Sequence, residues 1–244
     1  MKKINDIYTK DWRVEFNDCY SNGRVSYVTL SRYLQDTAGY HAEEGGFGIH
    51  DMVANNQSWV LTRFAMEVDK LPKLGDIVTV KSWISFVKGA FSNREYEVFV
   101  GDKQIVRATS SWTVINFVKR QVEHLKIDTS DFKFRNEITV EHAANRIHLD
   151  KAFEHIFSLQ VRFSALDMVQ HVSNLKYLDW TFDNVDHEKV LKSKLKKITV
   201  NYIKELNLDD NVEVSSNTDG NVQIIKMDKN SDKPCFAAEL VWKD

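Results

Sequence analysis

The sequence predicts an α+β fold made of two copies of one unit, each a long helix wrapped by an antiparallel β-sheet. The first observation is element order, because a strand, a long helix and several more strands occur once in each half of the 244 residues. The second is similarity between the halves. In the same order along the chain, residues 24–28 align with 171–175, 74–80 with 208–214, and 108–112 with 237–242. We therefore interpret the chain as an internal duplication.

Hydrophobic periodicity predicts the elements of the first half. Alternating large and polar residues over 12–20 predict a strand, and an apolar face over 26–44, stopped by Gly45 and Gly46, predicts the long helix. Residues 47–58 are expected to form a loop or a short second helix. Apolar, alternating and β-branched stretches predict four more strands, at 59–68, 77–84, 91–100 and 104–117.

The second half repeats this order after a polar stretch. Residues 119–152 are interpreted as a surface connector with short helical pieces, which leaves domains at 1–118 and 153–244. An amphipathic helix is predicted from Val172 to Phe182. The expected strands are 156–163, 197–204, 212–214, 222–227 and 235–242, with a turn at 228–232.

Composition argues against several classes of protein. The net charge of −2 gives no electrostatic case for nucleic acid or anionic membranes as partners, and no apolar run reaches the roughly 18 residues of a membrane span. Residues 1–6 carry the charge of a signal peptide without its apolar run. Two cysteines, Cys19 and Cys235, indicate a reducing, cytoplasmic setting. The histidines show no metal-ligand spacing, so neither a metal nor a cofactor is expected.

The chemistry is expected in a polar turn of the second half. Asp167 and His171 lie four residues apart, just before a helix whose first turn Ser173 or Asn174 could cap. Free N–H groups and the positive end of the helix dipole suit such a place to polarise a carbonyl. A helix-capping pair is the competing interpretation. Glu205, after the strand that ends at 204, would add a third acid–base group, or be a solvated strand end.

Residues 166–177 together with 198–205 resemble the acyl-acyl-carrier-protein (acyl-ACP) thioesterases, plant and bacterial alike. Residues 59–63 and the 71–76 turn extend the resemblance into the first half. The resemblance implies a double hot-dog fold. It also implies hydrolysis of fatty-acyl-ACP to free fatty acid and holo-ACP, without a cofactor. The implied partner is acyl carrier protein carrying an acyl-phosphopantetheine arm.

Catalytic residues follow from the resemblance. The family has Asp-x-Asn-x-His followed by a glutamate about 34 residues on, which carries over to Asp167, His171 and Glu205. The asparagine position is Val169, which cannot hydrogen-bond through its side chain. Stabilisation of the oxyanion would then fall on N-terminal amides of the helix, such as those near Val172 and Ser173, or the Gln170 or Asn174 side chain would substitute. Loss of one such donor costs on the order of 3 kcal/mol, so a slower enzyme is expected.

The substrate site and partners are less sharply predicted. Substrate-binding residues are expected to be Val169, Asn174, Trp59, Leu34 and Tyr40, but the acyl chain length stays open. Five lysines within residues 189–197 either dock the acidic carrier protein or are a solvated run. The oligomeric state is open, with a homodimer as one alternative. Other functions left open are a weak or inactive acyl-binding hot-dog protein and an acyl-CoA thioesterase; a dehydratase ranks last.

Overall fold

The computed structural model describes residues 5–230 and 233–243, and the chain divides into two compact units, Met1–Ala143 and Ala144–Asp244. The predicted connector, 119–152, straddles this division. The predictions about the terminus at residues 1–6 and the turn at 228–232 fall partly outside the described residues. None of the helices in the described part combines the length and hydropathy that crossing a bilayer requires.

The first unit is one long helix and an antiparallel sheet. The sheet order is β1-β3-β4-β5-β2, with a short β6 beside β5. Its helices are α1 (Tyr27–Gly45) and α2 (Ile49–Ala54). Its strands are β1 (Tyr8–Arg13), β2 (Gln57–Val68), β3 (Ile77–Lys88), β4 (Phe91–Val100), β5 (Lys103–Asn116) and β6 (Gln121–Val122).

The second unit repeats this arrangement. Its sheet order is β7-β9-β10-β11-β8, which matches the first unit strand for strand and confirms the predicted duplication. Its helices are α3 (Asn174–Asp183) and α4 (His187–Leu191). Its strands are β7 (Glu154–Gln160), β8 (Leu195–Tyr202), β9 (Asn211–Asp219), β10 (Val222–Lys229) and β11 (Lys233–Trp242).

The prediction of a strand over residues 12–20 was wrong beyond Arg13. Residues Phe16–Asp18 form a 3-10 turn, because the Glu15 N–H donates to the Asp18 carboxylate (2.9 Å) and the Glu15 side chain accepts from the Asp18 N–H in return. This reciprocal pair satisfies main-chain N–H groups that, in a strand, would donate to an adjacent strand. The predicted connector also differs, since residues 119–152 hold the short β6 and no helix.

Helix α1 begins and ends where its sequence predicts. The Ser26 hydroxyl accepts from the Thr29 N–H (2.9 Å) at its start, and Gly46 ends it with φ of 78°. Its buried face includes Leu30 and Leu34, both 0% exposed.

Helix α3 packs on its own sheet in the same manner. The Tyr177 ring stacks on Phe236 of β11, with 5.1 Å between ring centroids, and Leu178 is buried beside it. This packing fixes the start of α3, and therefore the turn before it, relative to the ends of the strands.

Candidate active site

The turn at residues 167–171 is closed by its own main chain. The Asp167 N–H donates to the His171 carbonyl (2.9 Å), and the Gln170 N–H donates to the Asp167 carbonyl (3.0 Å). Gln170 takes a left-handed conformation, with φ of 65°, to complete the turn. The backbone thus fixes where the His171 side chain leaves the chain.

Asp167 supports this turn with its side chain. Its Oδ1 accepts from the N–H groups of Val169 (3.0 Å) and His171 (3.4 Å), and the side chain is exposed. These contacts are with the main chain and not with the imidazole. Asp167 therefore shapes the turn through main-chain hydrogen bonds. This agrees better with the interpretation of Asp167 as a capping residue than as an acid–base group, except that it caps the turn and not the helix.

His171 and Glu205, 34 residues apart in the chain, are in contact. His171 Nε2 lies 3.4 Å from Glu205 Oε2, and the side chains are 31% and 38% exposed. A half-exposed imidazole beside a carboxylate keeps access to water while it can exchange a proton with its partner. The structure therefore brings two of the three predicted catalytic residues into contact.

The segment that carries Glu205 is held on both sides. The Leu206 N–H donates to the Tyr177 hydroxyl (3.2 Å), and the Leu206 carbonyl accepts from the Val172 N–H (3.0 Å). Lys229 Nζ donates to the Glu205 carbonyl (3.4 Å). Burial raises the pKa of Tyr177, so its hydroxyl stays neutral. The carboxylate is thus attached to a rigid part of the unit.

The N–H groups of Val172 and Ser173 themselves already have main-chain partners, so neither is available to an oxyanion. The Val172 N–H is bound to Leu206, and the Ser173 N–H donates to the Ala165 carbonyl (3.0 Å). Ser173 is the N-cap residue of α3 but makes no capping bond with its side chain. The donors of the first turn of α3 are instead the N–H groups of Asn174 and Leu175, which no intrahelical bond can use.

The other predicted substrate residues have varied surroundings. Leu34 is buried in α1, and Trp59 Nε1 donates to the Phe47 carbonyl (3.2 Å). Tyr40 is 46% exposed, and Lys10 Nζ lies 4.7 Å from its ring centroid.

Two further predicted residues belong to the second unit. The Asn174 carbonyl accepts from the Tyr202 hydroxyl (3.1 Å), and Val169 is 52% exposed in the turn. Leu34, Tyr40 and Trp59 belong to the first unit, so the predicted set is divided between the two.

The lysine run lies at the opposite end of β8 from the site. Lys196 is near the first residue of β8 and Glu205 follows the last, so the strand alone separates them by roughly 20 Å. Lys192 pairs with Glu188 (3.1 Å), and Lys189 lies over the Trp242 ring. This position favours the solvated interpretation over docking of a carrier next to the reacting groups.

One polar contact of the imidazole was missed by sequence reasoning. His171 Nδ1 lies 3.0 Å from Asn207 Oδ1, so both ring nitrogens have a polar partner. The spacing of Asn207 from Glu205 along the chain could have indicated this contact. Asn207 is two residues after Glu205, and side chains two residues apart in an extended segment point the same way.

Comparison with known proteins identifies the family of both units. The two units share one sheet order, and in the second His171 contacts Glu205. Residues 5–132 match the family model "Acyl-ACP thioesterase N-terminal domain" and residues 148–243 match "Acyl-ACP thioesterase C-terminal domain". The chain belongs to the acyl-ACP thioesterase family.

The matches to individual relatives are low in identity but cover most of this chain. A chloroplastic palmitoyl-acyl carrier protein thioesterase of Gossypium hirsutum is 27% identical over 218 residues, covering 83% of this chain and 53% of the relative. A chloroplastic oleoyl-acyl carrier protein thioesterase of Coriandrum sativum is 26% identical over 220 residues, covering 80% of this chain and 59% of the relative. The chain therefore spans between about half and three fifths of the length of these relatives.

A solved structure shows the same fold. The crystal structure of an acyl-ACP thioesterase from Bacteroides thetaiotaomicron covers 100% of both chains with a TM-score of 0.90 and 24% identity. The 12:0-ACP thioesterase from Umbellularia californica covers 98% of both chains with a TM-score of 0.78 and 21% identity. The predicted double hot-dog fold is confirmed.

Proposed function

We propose that this protein hydrolyses fatty-acyl thioesters of acyl carrier protein, releasing free fatty acid and holo-acyl carrier protein. The observation that carries the proposal is the contact between His171 Nε2 and Glu205 Oε2, at 3.4 Å. Family membership supports the substrate class, since relatives are named for palmitoyl- and oleoyl-acyl carrier protein.

In the proposed reaction, water attacks the thioester carbonyl carbon while its proton passes to the Glu205–His171 pair. The oxyanion that forms is stabilised by the first-turn N–H groups of α3, from Asn174 and Leu175. The C–S bond then breaks, and the leaving thiolate takes the proton back from the pair. The products are a carboxylic acid and the thiol of the phosphopantetheine arm, and no cofactor is consumed.

The remaining predicted residues have supporting roles in this proposal. Asp167 shapes the turn, as its two main-chain hydrogen bonds indicate. Leu34, Tyr40 and Trp59 of the first unit stay predicted substrate-binding residues, as does Asn174 of the second unit. The Val169 side chain has no hydrogen-bonding atom, which is the reason to expect a slower enzyme.

Cellular setting and assembly are part of the proposal. Cys19 and Cys235 are both free, which supports a reducing, cytoplasmic environment. No nucleic-acid partner is proposed, given the net charge of −2. The homodimer alternative stays a prediction, and light scattering of the purified protein decides it.

The test is hydrolysis of matched acyl-carrier-protein and acyl-CoA thioesters by the wild type, His171→Ala and Glu205→Ala. We expect turnover of the carrier-bound substrates by the wild type. Each substitution should cost about 10²- to 10⁴-fold in kcat, because each removes half of the proton-transfer pair. The control is His148→Ala, an exposed histidine of the same unit.

Three outcomes would contradict the proposal. Wild-type protein that binds acyl chains without hydrolysing them would be an acyl-binding protein. Faster hydrolysis of acyl-CoA than of the carrier-bound substrate would identify an acyl-CoA thioesterase. Full activity in Glu205→Ala would remove the acid–base pair from the mechanism.

A further inference from the structure

We propose that Asn207 is the positioning residue of this site and that it fixes the proton of His171 on Nδ1. This inference rests on the proposed function only for its consequence in catalysis. Asn207 Oδ1 lies 3.0 Å from His171 Nδ1, and Glu205 Oε2 lies 3.4 Å from His171 Nε2. The imidazole therefore stands between two oxygen atoms.

The chemistry of the ring decides which nitrogen carries the proton. A neutral imidazole has one N–H donor and one lone pair. An amide oxygen only accepts, so its contact with Nδ1 is favourable when Nδ1 carries the proton. The mobile proton of the pair then lies between Nε2 and Glu205 Oε2, so that contact also joins a donor to an acceptor. Nε2 is therefore the ring nitrogen that exchanges a proton with Glu205.

Asn207 is held firmly enough to impose this choice. Its N–H donates to Asp210 Oδ2 (2.7 Å), and its carbonyl accepts from the Asp210 N–H (3.2 Å). Asp210 is also paired with Lys229 (2.6 Å). Burial opposes ionisation of Asp210, but hydrogen bonds from Lys229, the Asn207 N–H and Asn230 hold the pKa of its carboxyl below the usual value. This anchor remains charged at neutral pH.

Val169, at the centre of the turn, offers the imidazole no side-chain amide. Val169 has no polar side-chain atom, and its N–H is already bound to Asp167. In the first unit the corresponding loop has the same main-chain bonds, with the Lys73 N–H donating to Asp76 Oδ2 (2.9 Å). Lys73 stands where Asn207 stands in the second unit. The amide beside the imidazole is thus a feature of the second unit that the turn itself does not supply.

The experiment measures the tautomer of His171 and the rate separately. The ¹⁵N chemical shifts of the neutral His171 ring are recorded in the wild type, Asn207→Leu, Asn207→Ala and Asn207→Asp. We expect the Nδ1–H form in the wild type and in Asn207→Asp, which keeps an acceptor. Asn207→Leu and Asn207→Ala should shift towards the Nε2–H form that free imidazole prefers.

Steady-state hydrolysis with the same variants gives the catalytic consequence. Asn207→Leu and Asn207→Ala should lower kcat about tenfold to a hundredfold with KM changed less than about threefold, and Asn207→Asp should restore most of the rate. The matched control is Asn217→Leu, which removes an amide that binds the Ala152 carbonyl (2.8 Å) in the same unit and should change neither quantity.

The two proposals fail in different ways. If the wild type hydrolyses no thioester, the proposed function fails while the tautomer measurement still decides the role of Asn207. An Nε2–H ring in the wild type, or an unchanged tautomer and rate in both Asn207→Leu and Asn207→Ala, overturns the positioning role. The alanine variant covers the case in which leucine prevents folding.

Discussion

The two units contain the same turn, but in the second unit its last residue is a histidine in contact with a carboxylate. Each turn is closed by the same main-chain hydrogen bonds, at matching positions. In the first unit the Tyr20 N–H donates to the Arg24 carbonyl (2.8 Å), and the Val25 N–H donates to the Pro72 carbonyl (3.0 Å). In the second unit the Asp167 N–H donates to the His171 carbonyl (2.9 Å), and the Val172 N–H donates to the Leu206 carbonyl (3.0 Å). The backbone is therefore a shared scaffold, and the side chains decide what it does.

The side chains at the matching positions differ in their ability to exchange protons. In the first unit Arg24 NH1 donates to the Leu71 carbonyl (2.8 Å), which fixes the loop. A guanidinium stays charged at any physiological pH, so it cannot act as an acid or base there. In the second unit His171 stands at the position of Arg24, and Glu205 stands at that of Leu71. The matching positions thus hold a bond to a main-chain carbonyl in the first unit and a contact between two ionisable side chains in the second.

The starts of the two helices differ in the same sense. At α1 the Tyr27 N–H donates to the Tyr20 hydroxyl (3.2 Å), and the Thr29 N–H donates to Ser26 (2.9 Å). At α3 the residue matching Tyr20 is Asp167, whose carboxylate turns back to its own turn. At α1 side chains thus cap the Tyr27 and Thr29 N–H groups, whereas Ser173, the N-cap residue of α3, makes no capping bond with its side chain.

The largest effect is expected from making the second site like the first. Glu205→Leu copies Leu71 and should lower kcat about 10³-fold, because it removes the carboxylate that shares a proton with His171. The measurement is single-turnover hydrolysis of an acyl-carrier-protein thioester. Glu213→Leu, at another glutamate of the second unit, is the control and should leave kcat within about threefold. If Glu205→Leu kept a tenth of the rate, the carboxylate that distinguishes the second turn from the first would not be needed for proton transfer.

The second prediction contrasts half-exposed His171 with the buried histidine of the first unit. Burial, with the neighbouring Arg94 charge, lowers the pKa of His41 to about 4, and Arg94 NH1 lies 2.9 Å from His41 Nδ1. Between pH 6.5 and 4 the unfolded chain binds a proton that the folded one does not. Stability should therefore fall as pH drops through this window, by about 2 kcal/mol between pH 7.5 and pH 5.

Urea unfolding of the wild type and His41→Gln at the two pH values measures this contribution. The variant should lose that part of the pH dependence, whereas His148→Gln, at an exposed histidine, should keep it. An identical pH dependence in wild type and His41→Gln would contradict the prediction.

The third prediction compares the side chains that brace the two turns. Asp167 Oδ1 accepts from the His171 N–H, and Asn22 Oδ1 accepts from the Arg24 N–H (3.0 Å). Asp167→Ala and Asn22→Ala should each destabilise the protein by about 1 kcal/mol. Only Asp167→Ala should also lower kcat, about tenfold, because it loosens the histidine. Equal rates in the two variants would assign Asp167 a purely structural role.

The smallest effect is expected at Val169. Its side chain is 52% exposed, so Val169→Asn fits without repacking. The added amide should leave kcat unchanged or raise it by up to about tenfold. Met168→Asn, at a neighbour that is 81% exposed, is the control and should leave kcat unchanged. A clear loss of rate in Val169→Asn alone would show that the apolar residue is required.

Much of the fold follows from local sequence patterns. Helix α1 was predicted as residues 26–44 and runs over Tyr27–Gly45, because a 3.6-residue apolar repeat, Ser26 and the glycines all specify the same element. Strands such as β4, predicted at 91–100, were also located by short-range patterns. The error at residues 12–20 arose where alternation and local hydrogen bonding conflicted. There the Glu15–Asp18 pair outweighed the pattern.

The sequence by itself determined the duplication, the two long helices and the place of the polar turn, because these depend on periodicity and on residues close in the chain. Tertiary structure alone decided the contacts of His171. Glu205 and Asn207 reach it across 34 and 36 residues, through a loop fixed by Lys229, Asp210 and the Tyr177 hydroxyl. It also decided that Val172 and Ser173 have no free N–H, since each is paired with a carbonyl that folding brings to it. Such pairings depend on three-dimensional neighbours that no local pattern specifies.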